Sequence, residues 1–332
     1  MNKISIVIPT LNSAKTLKEC LYAIRKLSHQ YSIDPDVIIV DAGSTDETLA
    51  ISKEYSKKVI VYSGVSRGKA RNIGVENSSN DAIVFLDSDC IVTAEWVEHL
   101  LSLPLDIGST VVAGPAVLVE ANTTIGSAVR DMLSNSFFTM SSYTFSIDVC
   151  QKEVDDVPSS NMLVSKKFFN QINGFPDLNF NEDGVFCTRV ITGNGKIAYS
   201  TAFRVLHKKT FNKVSKFANY FFQYGESYAK NLKQYPKLLN RYASFAAISA
   251  IVTVFSLAVL FLVDLALLLF FATLVSSFMV LLLCYSLIQF RKMRAGLIPF
   301  LFVTLSVSYL VGFYCGTIRS LRKTNPNAKC KK

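Results

Sequence analysis

The stretch AIVFLDSDC, residues 82–90, joins a run of apolar residues to two carboxylates separated by one serine. A continuous apolar run bounded by polar residues predicts a strand that is buried on both faces. Two acids at positions i and i+2 repel each other unless a hard cation lies between them, and Mg²⁺ and Mn²⁺ prefer oxygen ligands. The stretch therefore predicts a buried strand that delivers Asp87 and Asp89 to a divalent metal.

The surrounding chain alternates between strand patterns and helical patterns through its first hundred residues. The strand patterns lie at residues 4–10, 36–43, 58–64 and 82–89. Helical patterns fill the intervals between them. Alternation at this spacing predicts βαβ units, and hence a mostly parallel sheet with helices on both faces.

Polar signatures follow three of these strands. PTLN begins at Pro9, DAGSTD begins at Asp41, and DSD begins at Asp87. Ligands of open parallel sheets bind beyond the carboxyl ends of the strands. We therefore expect one crevice, lined by carboxylates, at this edge of the sheet.

A basic stretch, SRGKARNIG at residues 66–74, precedes the acidic strand. Arg67, Lys69 and Arg71 could bind phosphate, with help from the amides of a helical turn that is expected to start at Arg71. The alternative is a solvated helix start without a ligand.

The apolar residues and the net charge of +10 are concentrated at the C-terminal end. From residue 241 onward there are ten Lys and Arg and one acid, which gives +9, whereas the first 240 residues carry 25 basic and 24 acidic groups, which gives +1. Excess positive charge around an apolar block is typical of membrane flanks and argues against nucleic-acid binding.

Three apolar segments, at 243–263, 265–290 and 295–318, are each long enough to cross about 30 Å of hydrocarbon. If the N-terminal domain is cytosolic, a third crossing places the basic tail, residues 319–332, outside, against the positive-inside rule. Either the tail violates the rule, or the third segment is re-entrant or interfacial. Three crossings are the prediction adopted here. The basic, aromatic segment 213–242 predicts an amphipathic helix at the membrane interface, with an ordinary packed helix as the alternative.

The seven cysteines form no C-x-x-C pair, and their number is odd. This predicts reduced thiols and no thiolate zinc site. The N-terminal apolar run is too short for a signal peptide, and Pro9 follows it. We therefore expect the N-terminal domain to remain in the cytosol.

Five blocks carry a resemblance to a known family: SIVIPTLN, VIIVDAGSTDET, GKARNIGVENSSNDAIVFLDSD, NGFPDLNFNEDGVFCTRV and KIAYSTAFRVLH. In this order they resemble the inverting glycosyltransferase family 2, over roughly residues 3–208. The resemblance implies the type A glycosyltransferase fold (GT-A), a Rossmann-like and mostly parallel α/β sheet, for a catalytic domain over 1–212. The segment 213–242, transmembrane α-helices over 243–318 and the tail 319–332 would follow it.

The resemblance implies roles on the side of the nucleotide-sugar donor. Pro9 and Asp41 would line the base pocket, and Arg71 would lie near the base and the phosphates. Asp87 would contact the ribose or a metal-bound water. Asp89 would ligate a divalent metal, Mg²⁺ or Mn²⁺.

The same resemblance implies roles on the acceptor side. Asp183 would be the general base, and Glu182 would position the acceptor. His207 matches a late histidine that contacts the metal or the diphosphate in some relatives. Asn181 is also placed to cap the helix that the two acids open.

Two positions depart from the family pattern. Asn12-Ser13 replaces an Asn-Glu pair, and FFQYGESYAKN stands where processive synthases have a Q-x-x-R-W block. The missing block predicts an enzyme that adds one sugar at a time. Together with the apolar segments, the resemblance implies an integral membrane enzyme that uses a UDP-linked donor and a lipid-linked saccharide or glycolipid as acceptor. The alternatives are a polyprenyl-phosphate sugar synthase and a non-catalytic GT-A-like membrane protein. The oligomeric state is open.

Overall fold

The computed structural model describes residues 4–104, 106–119, 123–134, 152–232, 265–290 and 293–323. The chain divides into two compact units. The first comprises Met1–Glu120 and Ser134–Lys209, and the second comprises Ala121–Leu133 and Thr210–Lys332. The second unit therefore includes a short segment from within the sequence of the first. The domain limits given above remain predictions.

The described strands all lie in the first unit. They are β1 Ile4–Thr10, β2 Asp36–Asp41, β3 Lys58–Val61, β4 Ala82–Leu86, β5 Cys90–Val92, β6 Thr110–Ala113, β7 Ala116–Leu118, β8 Lys152–Glu153, β9 Asn161–Ser165, β10 Lys196–Tyr199 and β11 Val205–His207.

The helices of the first unit are α1 Ala14–Gln30, α2 Thr48–Tyr55, α3 Arg67–Glu76, α4 Ala94–Ser102, α6 Lys166–Gln171 and α7 Glu182–Thr192. Those of the second unit are α5 Thr124–Leu133, α8 Val214–Leu232, α9 Leu265–Phe290, a 3₁₀ helix Met293–Leu297 and α10 Ile298–Lys323.

The main sheet has eight strands in the order β3-β2-β1-β4-β9-β6-β10-β8. Neighbours are parallel except where β9 lies between β4 and β6 and where β8 pairs with β10. The predicted strand β4 lies inside this sheet, between β1 and β9, and its residues 83–86 are fully buried. The mostly parallel sheet and the buried acidic strand are thus confirmed.

Helices cover both faces of the main sheet. Val7 of β1 belongs to an apolar cluster with residues of α3, α6 and α7. The adjacent Ile6 and Ile8 belong to a second cluster with α1 and α4. This alternation follows from the two-residue period of a strand. The core therefore has three layers. Because β1, β2 and β4 are parallel, their carboxyl ends lie at one edge of it.

Two stretches of the chain are each divided between the two sheets. Residues 109–119 form β6 and β7, and residues 196–207 form β10 and β11, which pair in different sheets. Gly114 lies at the first break, where an added Cβ would be 1.8 Å from the carbonyl oxygen of Phe203. The divided strands build a three-stranded sheet in the order β5-β11-β7. Its position beside Asp89 matters for the site.

The described part of the second unit contains two helices that are long and apolar enough to cross a membrane, by length and composition. Their apolar windows are Ala272–Gln289 in α9 and Ile298–Ser320 in α10. The segment 213–232 forms α8 and its lead-in, as a helix was expected there. The predicted span 243–263, residues 233–242 and the tail beyond 323 lie outside the described residues.

Candidate functional site

The carboxyl ends of β1, β2 and β4 are joined by side-chain hydrogen bonds. Thr10 lies directly opposite Asp41 in the parallel register of β1 and β2. The hydroxyl of Ser88 donates to the hydroxyl of Ser13 at 2.9 Å, which links the turn after β4 to the turn after β1. Pro9, the residue before Thr10, is half-buried and lies opposite Val40 in the same register. The structure thus brings the three predicted strand-end signatures to one edge.

Four donors surround the fully buried carboxylate of Asp41. Its Oδ1 accepts from the hydroxyl of Thr10 at 3.0 Å and from the hydroxyl of Ser44 at 2.5 Å. Its Oδ2 accepts from the backbone N–H of Gly43 at 3.0 Å and of Ser44 at 2.8 Å. A carboxylate offers about four lone-pair sites. A contact between Asp41 and the nucleotide base stays a prediction, and it requires one of these donors to move.

Arg71 connects the two acidic motifs. Its Nη2 donates to Oδ1 of Asp87 at 2.7 Å, and its Nη1 donates to Oε1 of Glu182 at 3.0 Å. The arginine is 1% exposed, and its guanidinium lies 5.4 Å from the centre of the Phe175 ring. Arg71 is therefore a buried bridge between residues that are distant in sequence. Its predicted proximity to base and phosphates is not tested by this geometry.

The first turn of α3 is covered by the segment that precedes the acidic pair. The backbone N–H of Arg67 donates to Oδ1 of Asn179 at 3.1 Å, and that of Gly68 donates to the carbonyl of Leu178 at 3.1 Å. The N–H of Lys69 donates to the hydroxyl of Ser66, the N-cap residue. The helix therefore begins at Arg67 and not at Arg71, and the chain itself uses the amides of its first turn. Phosphate binding by Arg67, Lys69 and Arg71 stays a prediction.

Helix α3 packs closely against residues 175–179 through side-chain hydrogen bonds and a close backbone approach. The side-chain amide of Asn72 donates to the carbonyl of Phe175 and accepts from its N–H, both at 2.9 Å. A Cβ at Gly68 would lie 1.9 Å from the carbonyl oxygen of Pro176. Ser66 also donates to Asp177 at 2.5 Å. These contacts fix where α7 begins, and so where Glu182 meets Arg71.

His207 and Asp89 face each other because of the register of the small sheet. β11 pairs antiparallel with β5, and His207 lies opposite Cys90, the residue after Asp89. The Nε2 atom of His207 is 3.0 Å from Oδ1 of Asp89. The backbone N–H of Lys208 donates to the carbonyl of Asp89 at 2.8 Å. The histidine suggested by the late motif is thus at the acidic strand end.

Within the described residues, Asp89, Cys90 and His207 form a group whose potential metal-ligand atoms lie within 4.8 Å of one another. A carboxylate and an imidazole suit Mn²⁺ or a similar divalent ion. Burial raises the pKa of the Cys90 thiol well above its ordinary value, so the neutral thiol is a poor ligand. Asp89 and His207 therefore fit a divalent metal, whereas Asp87, also predicted there, is engaged with Arg71.

The pKa of Asp89 is lowered. Burial opposes ionisation, but His207 and the charge of Lys209 outweigh it and hold the pKa at about 2. Asp89 is therefore a carboxylate at any physiological pH. A metal ligand has to be in this deprotonated form.

The pKa values of the acidic pair at the start of α7 are shifted the opposite way. Burial raises the pKa of Glu182 to about 7, with a contribution from Asp183, although Arg71 and Arg67 oppose it. Loss of solvation around its carboxyl raises the pKa of Asp183 to about 6, although the residue as a whole is half-buried. The charge of Asp156 raises this pKa further. A general base functions best when its pKa lies near the working pH.

Asn181 is the N-cap residue of α7, as predicted, but its side chain makes no capping hydrogen bond. Its backbone is left-handed, with φ of 62°, and its Nδ2 is buried without a hydrogen-bond partner among the described residues. The carboxyl of Asp183 instead accepts from the N–H of Gly184 at 3.0 Å. The first turn is therefore stabilised by the acids themselves.

Sequence reasoning missed the residues that hold the acidic pair in place. Asn72, Asp177 and Asn179 were quoted within motifs but given no role. Asp156 was not considered at all. For Asp177 and Asn179 the available signal is the Pro, Asp and Asn content of residues 175–181, which is typical of a turn. Asn72 and Asp156 lie outside that stretch and carry no such local signal.

Comparison with known proteins places the chain in a family. The family model for glycosyl transferase family 2 matches residues 5–172. Glycosyltransferase AglE of Haloferax volcanii is 30% identical over 175 residues, covering 49% of this chain and 57% of that protein. The O-antigen chain rhamnosyltransferase WbaN of Salmonella anatum is 26% identical over 229 residues, covering 67% of this chain and 71% of that protein.

A crystal structure of GalNAc-T7 with UDP, GalNAc and Mn²⁺ superposes with a TM-score of 0.46 and 13% identity, covering 67% of this chain and 47% of that one. The match to AglE spans little more than half of that relative's length. Because the family model covers half of the chain, the protein belongs to glycosyltransferase family 2. The observed α/β sheet agrees with the GT-A fold that the family resemblance implied.

Proposed function

We propose that the protein is an inverting glycosyltransferase that moves one sugar from a UDP-linked donor to a lipid-linked saccharide or glycolipid. The observation that carries this proposal is the convergence of three motifs at one sheet edge. Arg71 binds both Asp87 and Glu182, and Asp89 lies beside His207. Family membership supports sugar transfer. The donor and the acceptor are our proposals.

The donor side consists of Asp87, Asp89 and His207. Asp89 and His207 would hold a divalent metal, with donor phosphate oxygens completing its ligands. The bound metal would offset the charge that develops on the leaving nucleoside diphosphate. Asp41 and Pro9 would shape the base pocket, and Asp87 would reach the ribose or a water.

The acceptor side consists of Glu182 and Asp183. The acceptor oxygen forms a bond to the anomeric carbon while the bond from that carbon to the diphosphate oxygen breaks, so the configuration inverts. Asp183 accepts the proton that the hydroxyl loses. Glu182, held by Arg71 at 3.0 Å, positions the acceptor. A pKa of about 6 leaves Asp183 mostly ionised at neutral pH, as this role requires.

We also propose that the C-terminal part anchors the protein in a membrane, with the catalytic domain on the cytosolic side. The apolar helices α9 and α10 support association with a membrane. An anchored enzyme suits a membrane-embedded acceptor. The absence of a Q-x-x-R-W block from the sequence of α8 supports transfer of single sugars.

The test is a donor panel. Full-length protein in detergent is incubated with Mn²⁺, a bacterial lipid extract and one of several UDP-, dTDP- or GDP-linked sugars. Released nucleoside diphosphate and labelled lipid are then measured. We expect one UDP-linked sugar to give both products, and EDTA to abolish them.

The matched pair of variants is Asp89→Asn, which removes the proposed metal ligand, and Asp34→Asn, which neutralises an exposed carboxylate before β2, at the opposite end of that strand from Asp41. Only the first should lose activity. Turnover that survives EDTA undiminished would contradict the metal. Failure of every donor to bind or react would contradict the function.

A further inference from the structure

The third apolar segment presents a conflict between hydropathy and charge. If all three predicted segments, 243–263, α9 and α10, cross the membrane, the basic tail that begins at Arg319 lies on the side opposite the catalytic domain, against the positive-inside rule. The contacts of α10 within the second unit bear on this choice.

The backbones of α8 and α10 are in direct contact. A Cβ added to Gly312 would lie 2.0 Å from the carbonyl oxygen of Phe222, and one added to Gly225 would lie 2.0 Å from that of Tyr309. A Cβ at Gly316 would lie 2.5 Å from the carbonyl oxygen of Glu226. Glycines at this spacing permit such close approach of helices. The two helices must therefore occupy the same depth relative to a bilayer.

The charged side chains of α8 set that depth. Lys216 and Lys230 are exposed, and Glu226 pairs with Lys230 at 3.0 Å. Charges inside the hydrocarbon cost several kcal/mol each and are rare there. α8 also follows the catalytic unit after the short link 210–213. It therefore belongs at the membrane interface on the catalytic side.

Both ends of α10 are tied to elements on the catalytic side. Near its C-terminus, Arg319 pairs with Glu226 of α8. Just before its N-terminus, Arg294 donates to Asp131 of α5 at 2.8 Å. The sequence of α5 lies between the two segments of the catalytic unit, and only residues 121–123 separate it from the first segment.

The free face of α10 has the pattern of an interfacial helix. Its exposed apolar side chains recur every three or four residues along one stripe, at Phe300, Val303, Val307, Val311, Tyr314 and Ile318. The opposite face contains the glycines that contact α8. α9 differs, because its exposed apolar residues, among them Val275, Val280 and Leu281, are spread around the helix. A one-sided apolar stripe with basic flanks is typical of helices that lie in the interface.

We propose that α10 does not cross the membrane. It lies with α8 in the interface of the catalytic-side leaflet, its apolar stripe embedded in the acyl region and the basic tail facing anionic headgroups. The two crossings are then those predicted from sequence for 243–263 and 265–290. This inference rests on the proposed membrane association, and it is independent of the donor and the reaction. It satisfies the positive-inside rule without a violation by the tail.

The first test maps the side of the tail. Full-length protein is expressed in a Gram-negative bacterium, and spheroplasts are treated with a membrane-impermeant maleimide before and after permeabilisation. Mass spectrometry reads the labelling of the native Cys330. Ser102→Cys marks the catalytic side, and Asp264→Cys marks the predicted turn of the hairpin. We expect Asp264→Cys to label in intact spheroplasts, and Cys330 and Ser102→Cys to label only after permeabilisation.

Labelling of Cys330 in intact spheroplasts would overturn the proposal. If Asp264→Cys is also protected, the crossing hairpin fails and the proposed anchoring with it, whereas a tail on the catalytic side is still supported. The two failures are therefore distinguishable.

The second test measures depth. Spin labels are placed at Val303 and at Val311 in protein reconstituted into phosphatidylethanolamine and phosphatidylglycerol vesicles. An interfacial helix places both labels at nearly equal depth. A crossing helix that is not tilted rises by about 1.5 Å per residue, so the two depths, eight residues apart, would differ by about 12 Å. A difference of that size would refute the interfacial placement.

Discussion

Two pairs of polar groups at the same sheet edge have opposite electrostatic character. At the end of β4, His207 and Lys209 hold the pKa of Asp89 at about 2. At the start of α7, burial and neighbouring carboxyls raise the pKa values of Glu182 and Asp183 to about 7 and about 6. The first environment keeps a permanent anion, which suits a metal. The second keeps a carboxyl that exchanges protons near neutral pH, which suits a base.

Arg71 shows how the two environments remain distinct although they are linked. It contacts Asp87 on one side and Glu182 on the other, and it is almost fully buried. One positive charge shared by two acids lowers the cost of burying both. It does not cancel the desolvation of Glu182, whose pKa stays raised. The division of labour between the acids therefore depends on solvation as much as on charge.

Loss of the anion beside His207 should have the largest effect. We expect Asp89→Ala to reduce transfer on the order of 10³-fold or more, because a metal contributes several kcal/mol of charge stabilisation. Mn²⁺-dependent binding of UDP, measured by calorimetry, should weaken at the same time. A variant that folds but retains Mn²⁺-dependent binding of UDP would remove Asp89 from the metal site.

Loss of the base should affect the rate without affecting donor binding. Asp183→Asn keeps the shape of the side chain but cannot accept a proton. General-base assistance contributes about 10²–10⁴-fold, so transfer should fall by that factor. The dissociation constant of UDP with Mn²⁺ should barely change. This pattern differs from that expected for Asp89→Ala, in which UDP binding and the rate of transfer fall together.

Near-normal transfer by Asp183→Asn to a hydroxyl acceptor would show that the base assignment is wrong. If the acceptor that emerges is a lipid phosphate, it is already anionic and needs no base. In that case an active variant would favour the polyprenyl-phosphate alternative.

A smaller loss of transfer activity is expected when Arg71, which bridges Asp87 and Glu182, is replaced by lysine. Arg71→Lys keeps the charge but cannot make both ion pairs at once, because lysine lacks the planar fork. Loss of one charged hydrogen bond costs about 1.5–3 kcal/mol, so transfer should fall roughly 10–100-fold. Thermal unfolding checks that the variant is folded. An unchanged rate in a folded variant would mean that the bridge is not needed for catalysis.

The sheet and the acidic motifs could be predicted because they depend on local pattern. The apolar run before Asp87 predicts a buried strand, and strand ends in a parallel sheet converge. The pairing of β11 with β5 could not be predicted in the same way, because register depends on contacts between residues that are far apart in sequence. That register is what places His207 opposite Cys90 and beside Asp89.

The covered start of α3 shows a second limit of sequence reasoning. Free amides at a helix start and amides bound by a distant loop have the same local sequence. Only the fold reveals that Leu178 and Asn179 accept from the first turn. The shifted pKa values were likewise inaccessible in magnitude, since they depend on how much protein surrounds each carboxyl.

The smallest expected effect is on the pH dependence of transfer, which reports the raised pKa of the acidic pair. Asp183 must be ionised to act as a base, and its pKa is raised to about 6. Transfer should therefore decline about tenfold per pH unit below that value and level off above it. Protein atoms around the carboxyl of Asp156 raise its pKa to about 6, although the residue as a whole is exposed, and Asp156 adds like charge to Asp183. The acid limb consequently belongs to a cluster of carboxyls and not to one residue.

Asp156→Asn removes one member of this cluster, so the acid limb of kcat/KM should move to lower pH by roughly half a unit. The rate at pH 8 should stay the same, because Asp183 is ionised there in both proteins. Glu153→Gln, which neutralises an exposed carboxylate three residues earlier in the chain, is the matched control and should leave the limb in place. A limb that moves equally in both variants would indicate a general charge effect. A limb that moves in neither would mean that Asp156 does not set the ionisation of the base.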